Sequence, residues 1–338
     1  MRRSLSALLA WAVLTTAASA ATSDRCGAPP RTIRELAIVL TLPLGLGVGG
    51  DGAVWVASTM SDRLVRVDRS GSVMSHALPL RSHPVGLAVD GAGAVWFAGS
   101  GVGLVGRLSP GVRRAAEFPP PAVLTPDDGI PTAWALSIGG PYVWFTMPSH
   151  GLIGRVKLGA QPTRRGSAVT EYRLGAPGQA RPEAVAADTD GSAWIADAVG
   201  DRLVHVAPDG SQRTVTLPPA SGPRGVALGS DGAVWVTLFR SGRLARIGHS
   251  GSVGEWMLPA GKAARPWAVV IDPGDRVWVS DTGDNTILCF EPASGRFMVW
   301  RVPTPHASVR ALAVDGPGDI WFAGAYSGRV GVIEKTSR

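Results

Sequence analysis

The chain reads as an all-β protein, a seven-bladed β-propeller closed by its N-terminal strand, and three observations lead there. The first is a tryptophan that returns at Trp55, Trp96, Trp144, Trp194, Trp235, Trp278 and Trp321, at intervals of 41 to 50 residues. The second is a proline twelve residues before five of them (Pro43, Pro84, Pro182, Pro223, Pro266), thirteen before Trp144 at Pro131, and replaced by Val309 in the last copy. The third is composition: 44 glycines and 27 prolines, with no 3.6-residue apolar period after the N-terminus, leave no room for helical repeats. A period of about 40–50 residues carrying four short strands is a propeller blade, which cannot bury its faces alone and is stabilised by its neighbours.

The elements follow in order. Arg2 and Arg3, an apolar run from Leu5 to Leu14, and Ala18-Ser19-Ala20 have the three regions of a secretory signal peptide over residues 1–20, so the mature protein is expected outside the cytoplasm, periplasmic or secreted. Residues 21–32 form a polar leader, and 33–338 a single propeller domain. Within each unit an apolar strand follows the proline. An Asp-Gly turn comes next (Asp51-Gly52, Asp190-Gly191, Asp231-Gly232), then a strand through the tryptophan, a third such as 63–67, and a fourth ending in Leu-Pro or a variant. The last unit stops after three strands, at 333–335, while residues 33–42 match the fourth strand of other units, such as 169–174. The N-terminal strand is therefore expected to complete the last blade and remove two exposed sheet edges. A tryptophan at the same place in every blade is expected to pack between blades. Trp134, Trp256, Trp267 and Trp300 fall outside that position.

The formal charge of +7 drops to about +5 once Arg2 and Arg3 leave. Arginines are scattered one or two per blade without a basic stripe, which argues against nucleic-acid binding. No segment of the mature chain approaches the length of a membrane span. The partners expected are a small molecule or a cell-envelope or extracellular protein, and the chain is expected to be a monomer. Cys26 and Cys289 are the only cysteines. In an exported chain they invite one bridge enclosing most of the sequence, the alternative being Cys289 as a buried thiol. The six histidines lack metal-ligand spacing, and neither a zinc-protease helix nor a Gly-x-Ser-x-Gly elbow is present.

The unit Pro-x-Gly…Asp-Gly-Ala-Val-Trp-Val-Thr…Arg-Leu-x-Arg-Ile, written most fully at 223–247, resembles the repeat of the virginiamycin B lyase (streptogramin lyase) family over about residues 33–335. The segment 281–287 is also similar to the NHL repeat. The resemblance implies a seven-bladed propeller whose active members open a cyclic depsipeptide at its ester by elimination, with Mg²⁺ and with histidine and glutamate near the central funnel. The histidines of that family directly follow the prolines of the last two blades, where this chain has Trp267 and Arg310. The glutamate position falls on Ala325 and a tyrosine position on Leu44. Elimination needs a base that titrates near the working pH. None of these four side chains supplies one, so the expectation is the fold without the lyase activity.

Equivalent positions in a propeller point to equivalent places. The residue after each proline should ring the channel mouth: Leu44, Val85, Thr132, Glu183, Arg224, Trp267 and Arg310. The third residue after each tryptophan should lie nearby, which adds Asp197 and Asp281. Two arginines, three carboxylates and an indole around one opening suit a ligand with a carboxylate or phosphate and a flat or sugar-like face, or else they pair with one another. No catalytic residue and no cofactor is assigned on this reading. The enzymatic alternative is a divergent lyase or a lactonase-like hydrolase in which Glu183, Asp197 and Asp281 hold Mg²⁺ or Ca²⁺. Arg224 and Arg310 oppose such a cation. The asparagine ligands of gluconolactonase-type propellers would have to come from Asn285, the one asparagine in the chain.

Overall fold

The computed structural model describes Cys26 and residues 30–120, 132–162, 168–176 and 178–335. The segment expected to be a signal peptide, residues 1–20, and most of the expected leader lie outside the described residues. Among the described residues, strands β1 to β28 form seven four-stranded antiparallel sheets. Blade 1 consists of β2 (Pro43–Val48), β3 (Val54–Ser58), β4 (Arg63–Val67) and β5 (Val73–Ala77). The other blades repeat that order from their innermost strands β6 (Pro84–Val89), β10 (Leu136–Gly139), β14 (Pro182–Ala187), β18 (Pro223–Leu228), β22 (Pro266–Ile271) and β26 (Val309–Val314).

The ring closes as the repeat count requires. β1 (Arg31–Val39) pairs antiparallel with β28 (Arg329–Lys335), setting Arg31 opposite Lys335, Ile33 opposite Ile333 and, past a bulge, Val39 opposite Arg329. The strand begins two residues earlier than the sequence pattern places it, because Arg31 is held from the side: its guanidinium donates to the carbonyl of Gly318 at 2.9 Å and stands 5.3 Å above the Trp278 ring. Just upstream, Cys26 is disulfide-bonded to the buried Cys289, with Cα atoms 5.8 Å apart. The bridge ties the segment before β1 to the third strand of blade 6.

Seven apolar clusters fill the seven junctions, and each contains or adjoins one repeat tryptophan packed against the next blade. Trp321 of blade 7 packs with Val54, Val56 and Leu46 of blade 1, so the last junction is built like the others. The aspartate six residues before the tryptophan explains how a buried indole N–H is satisfied. Asp90, Asp272 and Asp315 accept from Trp96, Trp278 and Trp321 at 2.8–2.9 Å. Blades 2, 3 and 7 carry Phe97, Phe145 and Phe322 beside the tryptophan, and the facing residue of the third strand is glycine (Gly106, Gly154, Gly331). A Cβ there would enter the phenylalanine ring.

Candidate functional site

Six inner strands break register immediately after their first residue, between Pro43 and Gly45, Pro84 and Leu87, Pro182 and Ala184, Pro223 and Val226, Pro266 and Val269, and Val309 and Ala311. A bulge leaves a residue outside the ladder and re-aims its side chain. Here it turns Leu44, Val85, Glu183, Arg224, Trp267 and Arg310 toward the axis, where they line a central cavity of about 210 Å³. The glycine of Pro-x-Gly is needed because inner strands of neighbouring blades touch at this level. A side chain on Gly45 or Gly225 would run into the carbonyl of Val85 or Trp267.

Blade 3 departs from the expectation: the seventh position belongs to Trp134, not Thr132. Its first hairpin pairs Gly139 with Tyr142 across two residues, whereas blade 1 pairs Val48 with Val54 across five. Trp144 therefore faces Ser137, seven positions back, where Trp55 faces Gly47, eight back. That one-residue slip, added to the thirteen-residue spacing between Pro131 and Trp144 in the sequence, moves the cavity position two residues on, to Trp134. Thr132 sits outside the cavity, 3.0 Å from the Ser149 hydroxyl, in an adjoining pocket of about 410 Å³ that shares Trp134 and Glu183 with the centre.

The charged side of the cavity is organised around Trp267. Its indole lies between two guanidiniums from the flanking blades, Arg224 at 4.0 Å and Arg310 at 4.5 Å from the ring centroid. Arg224 also covers Phe239 at 4.7 Å, and Phe239 meets Trp267 edge-on at 5.6 Å. Arg310 donates to the Tyr326 hydroxyl at 2.8 Å. Stacking fixes both guanidinium planes while leaving most of their N–H groups unspent. Burial lowers the pKa of Arg224; Glu183 opposes the shift, and Arg181, Arg310 and Arg240 add to it. Guanidinium stays charged through such a shift, so the cavity carries concentrated positive potential.

Glu183 is the carboxylate in that cavity, only 6% exposed. Its Oε1 lies 2.7 Å from Arg181 Nε, and its Oε2 3.7 Å from Arg224 Nη1. The Arg181 contact is a charge contact off the line of a hydrogen bond, so Oε1 is buried without a donor. Arg181, Phe239, Tyr326 and Trp134 were not foreseen. Arg181 precedes the proline, and the two aromatics lie four and five residues past Trp235 and Trp321, where most blades have small or polar residues.

Asp197 and Asp281 are placed elsewhere. Both are buried at the end of the tryptophan strand and turn away from the cavity, toward the backbone. Asp197 accepts the N–H of Arg181 at 2.7 Å and pairs with Arg202 Nε at 2.8 Å. Asp281 accepts the N–H groups of Arg265 at 2.7 Å and Gly283 at 2.9 Å, while its Oδ2 has no partner. Each pins the residue that introduces the inner strand of its own blade. The three acids of the divalent-cation reading thus do not converge, and among the described residues no three acidic, histidine or cysteine side chains gather as a metal site would need.

Fold and site together define a seven-bladed β-propeller with an arginine-tryptophan funnel. A family model for the NHL repeat matches residues 264–290. A solved streptogramin B lyase is similar over 90% of this chain and 98% of its own, at 23% identity and a TM-score of 0.79. Virginiamycin B lyase from Staphylococcus aureus is similar over 90% and 99%, at 23% identity and 0.77. A putative gluconolactonase is similar over 92% and 94%, at 16% identity and 0.57. At these identities the likeness is one of fold. No curated protein sequence matches the chain.

Proposed function

We propose that the protein is an exported binding propeller that captures a small molecule bearing a carboxylate or phosphate at its central funnel, without lyase activity. The observation that carries this reading is the Arg224–Trp267–Arg310 stack, with ring distances of 4.0 and 4.5 Å. Two oriented guanidinium forks form a seat for an anion, and nothing in the fold requires them there. The Oε1 of Glu183, in charge contact with Arg181 but accepting no hydrogen bond, adds a demand for a donor, which a hydroxyl or amine on the same ligand meets. A sugar acid or sugar phosphate has both groups. The disulfide supports work in an oxidising compartment. No helix among the described residues is long and apolar enough to cross a membrane.

The test is calorimetric titration with sugar acids, sugar phosphates and lactones, repeated on Arg224→Ala and Trp267→Ala. Capture that both variants retain would remove the funnel from consideration. The similarity to lyases motivates one further assay: virginiamycin B incubated with the protein and Mg²⁺ is expected to keep its ring, and a linear product would reverse the reading.

A further inference from the structure

The opposite face of the disk carries a second concavity. The hairpins that join first to second and third to fourth strands lie at the end away from Leu44. Between blades 1 and 2 they bound a groove of about 650 Å³. Its floor is Trp55, the only repeat tryptophan that is not buried. His76 is tilted against that indole with centroids 5.2 Å apart, and Met74, Leu108 and Val112 supply apolar walls.

Comparison among blades explains why the groove is open. An arginine follows the tryptophan by eleven residues in blades 1, 2, 3 and 5: Arg66, Arg107, Arg155 and Arg246. In blades 2 and 3 it crosses the junction, Arg107 donating to the carbonyl of Ala160 and Arg155 to that of Pro208, and covers the ring on the way, at 5.3 and 5.2 Å. In blades 1 and 5 an aspartate in the first hairpin pairs with it instead, Arg66 with Asp51 at 2.6 Å and Arg246 with Asp231 at 2.5 Å; Arg246 still stands 5.9 Å over the Trp235 ring, whereas Arg66 leaves Trp55 uncovered. Both of those junctions have a groove, and the one in blade 5 is narrowed to about 460 Å³, with Trp256 among its walls where blade 1 has His76. Asp51 is thus the latch that keeps the blade 1–2 groove open.

We infer that this groove is a second binding site, separate from the funnel, for a planar aromatic anion of small size, such as an aryl carboxylate. The volume lies within the range of small-molecule pockets. Trp55 and His76 offer a ring face, and the walls are apolar. The charge balance sets the sign: Asp51 and Arg66 cancel, leaving Arg113 at the rim with no ion pair among the described residues. A carboxylate on the ring's edge reaches Arg113 while the ring lies on Trp55.

The probe is 2-naphthoate, followed by isothermal titration, with 2-naphthylmethylamine as the cationic counterpart. The expected result is one site for naphthoate and at least tenfold weaker binding of the amine. Trp55→Ala should weaken naphthoate at least tenfold and Arg113→Ala several-fold. Asp51→Ala, an exposed change, should weaken it as well by releasing Arg66 to close the groove; this keeps the inference exposed should Trp55→Ala fail to fold. Trp267→Ala, in the funnel, should leave it unchanged. The inference is overturned if naphthoate does not bind, if Asp51→Ala and Arg113→Ala bind it like the parent, if the amine binds as tightly, or if Trp267→Ala abolishes binding.

Discussion

The layer between the blades and the ring around the axis are built from the same seven repeats, yet they treat repetition in opposite ways. In the inter-blade layer one residue type recurs, and six of the seven tryptophans are buried against the next blade. Around the axis a single backbone device, the bulge after the first residue of the inner strand, presents Leu44 and Val85 on one side and Glu183, Arg224, Trp267 and Arg310 on the other. The uniform position answers to packing, which is identical at every junction. The varied position is constrained by neither strand pairing nor blade stacking, which leaves its side chains free to serve the ligand proposed for the funnel.

That contrast can be broken most forcefully at the wall. Replacing Cys26 and Cys289 together by serine removes a cross-link spanning 263 residues, and the chain-entropy account sets the loss at about 5.6 kcal/mol at most. Trp144→Ala, at a fully buried position, should cost about 3–5 kcal/mol. Denaturant unfolding measures both. Each variant, at a temperature where it remains folded, should bind a funnel ligand like the parent. A Trp144→Ala protein with parental stability would mean the tryptophan layer does not hold the blades together.

The reverse dissociation applies at the axis. Arg224→Ala and Trp267→Ala should weaken an anionic funnel ligand at least tenfold while changing stability by no more than about 1 kcal/mol, since both side chains are only partly buried. Binding should fall with salt if the guanidiniums are the seat. Large stability losses with unchanged affinity would put these residues in the architecture instead.

The wall was legible in the sequence because it is periodic: the tryptophan spacing counts the blades, and the missing fourth strand of the last unit locates its replacement at the N-terminus. The axis was legible only as far as the period holds. Thr132 was expected where Trp134 stands because two one-residue offsets add: Trp144 follows its proline by thirteen residues instead of twelve, and the first hairpin of blade 3 is tighter by one, so a count from the proline falls two residues short while a count from the strand pairing does not. Phe239 and Tyr326 lie in loops between the second and third strands, where no period exists, and only their contacts with Arg224 and Arg310 give them meaning. Asp197 and Asp281 failed as cavity residues for another reason. They occupy a strand end where unpaired backbone N–H groups need an acceptor, and that local demand turns the side chain away from the axis.

Those two aspartates also provide the finest test of position against environment. Asp197 is neutralised by Arg202, whereas Asp281 has a buried oxygen with no partner, and burial raises its carboxyl pKa against the backbone hydrogen bonds that lower it. A carboxyl whose folded pKa is raised binds its proton more tightly in the native state. It therefore favours folding below the unfolded value of about 3.9, and that advantage disappears as pH climbs through the raised value, leaving a buried charge at neutrality. Asp281→Asn keeps an oxygen to accept from Arg265 and Gly283 and carries no charge. It should raise the melting temperature at pH 7, by an amount that shrinks to nothing as the pH falls below about 4. Asp197→Asn should do the opposite at pH 7, costing about 1–3 kcal/mol because Arg202 loses its counter-charge. Equal effects of the two substitutions at both pH values would show that the shared position, rather than the partner each side chain meets, governs these residues.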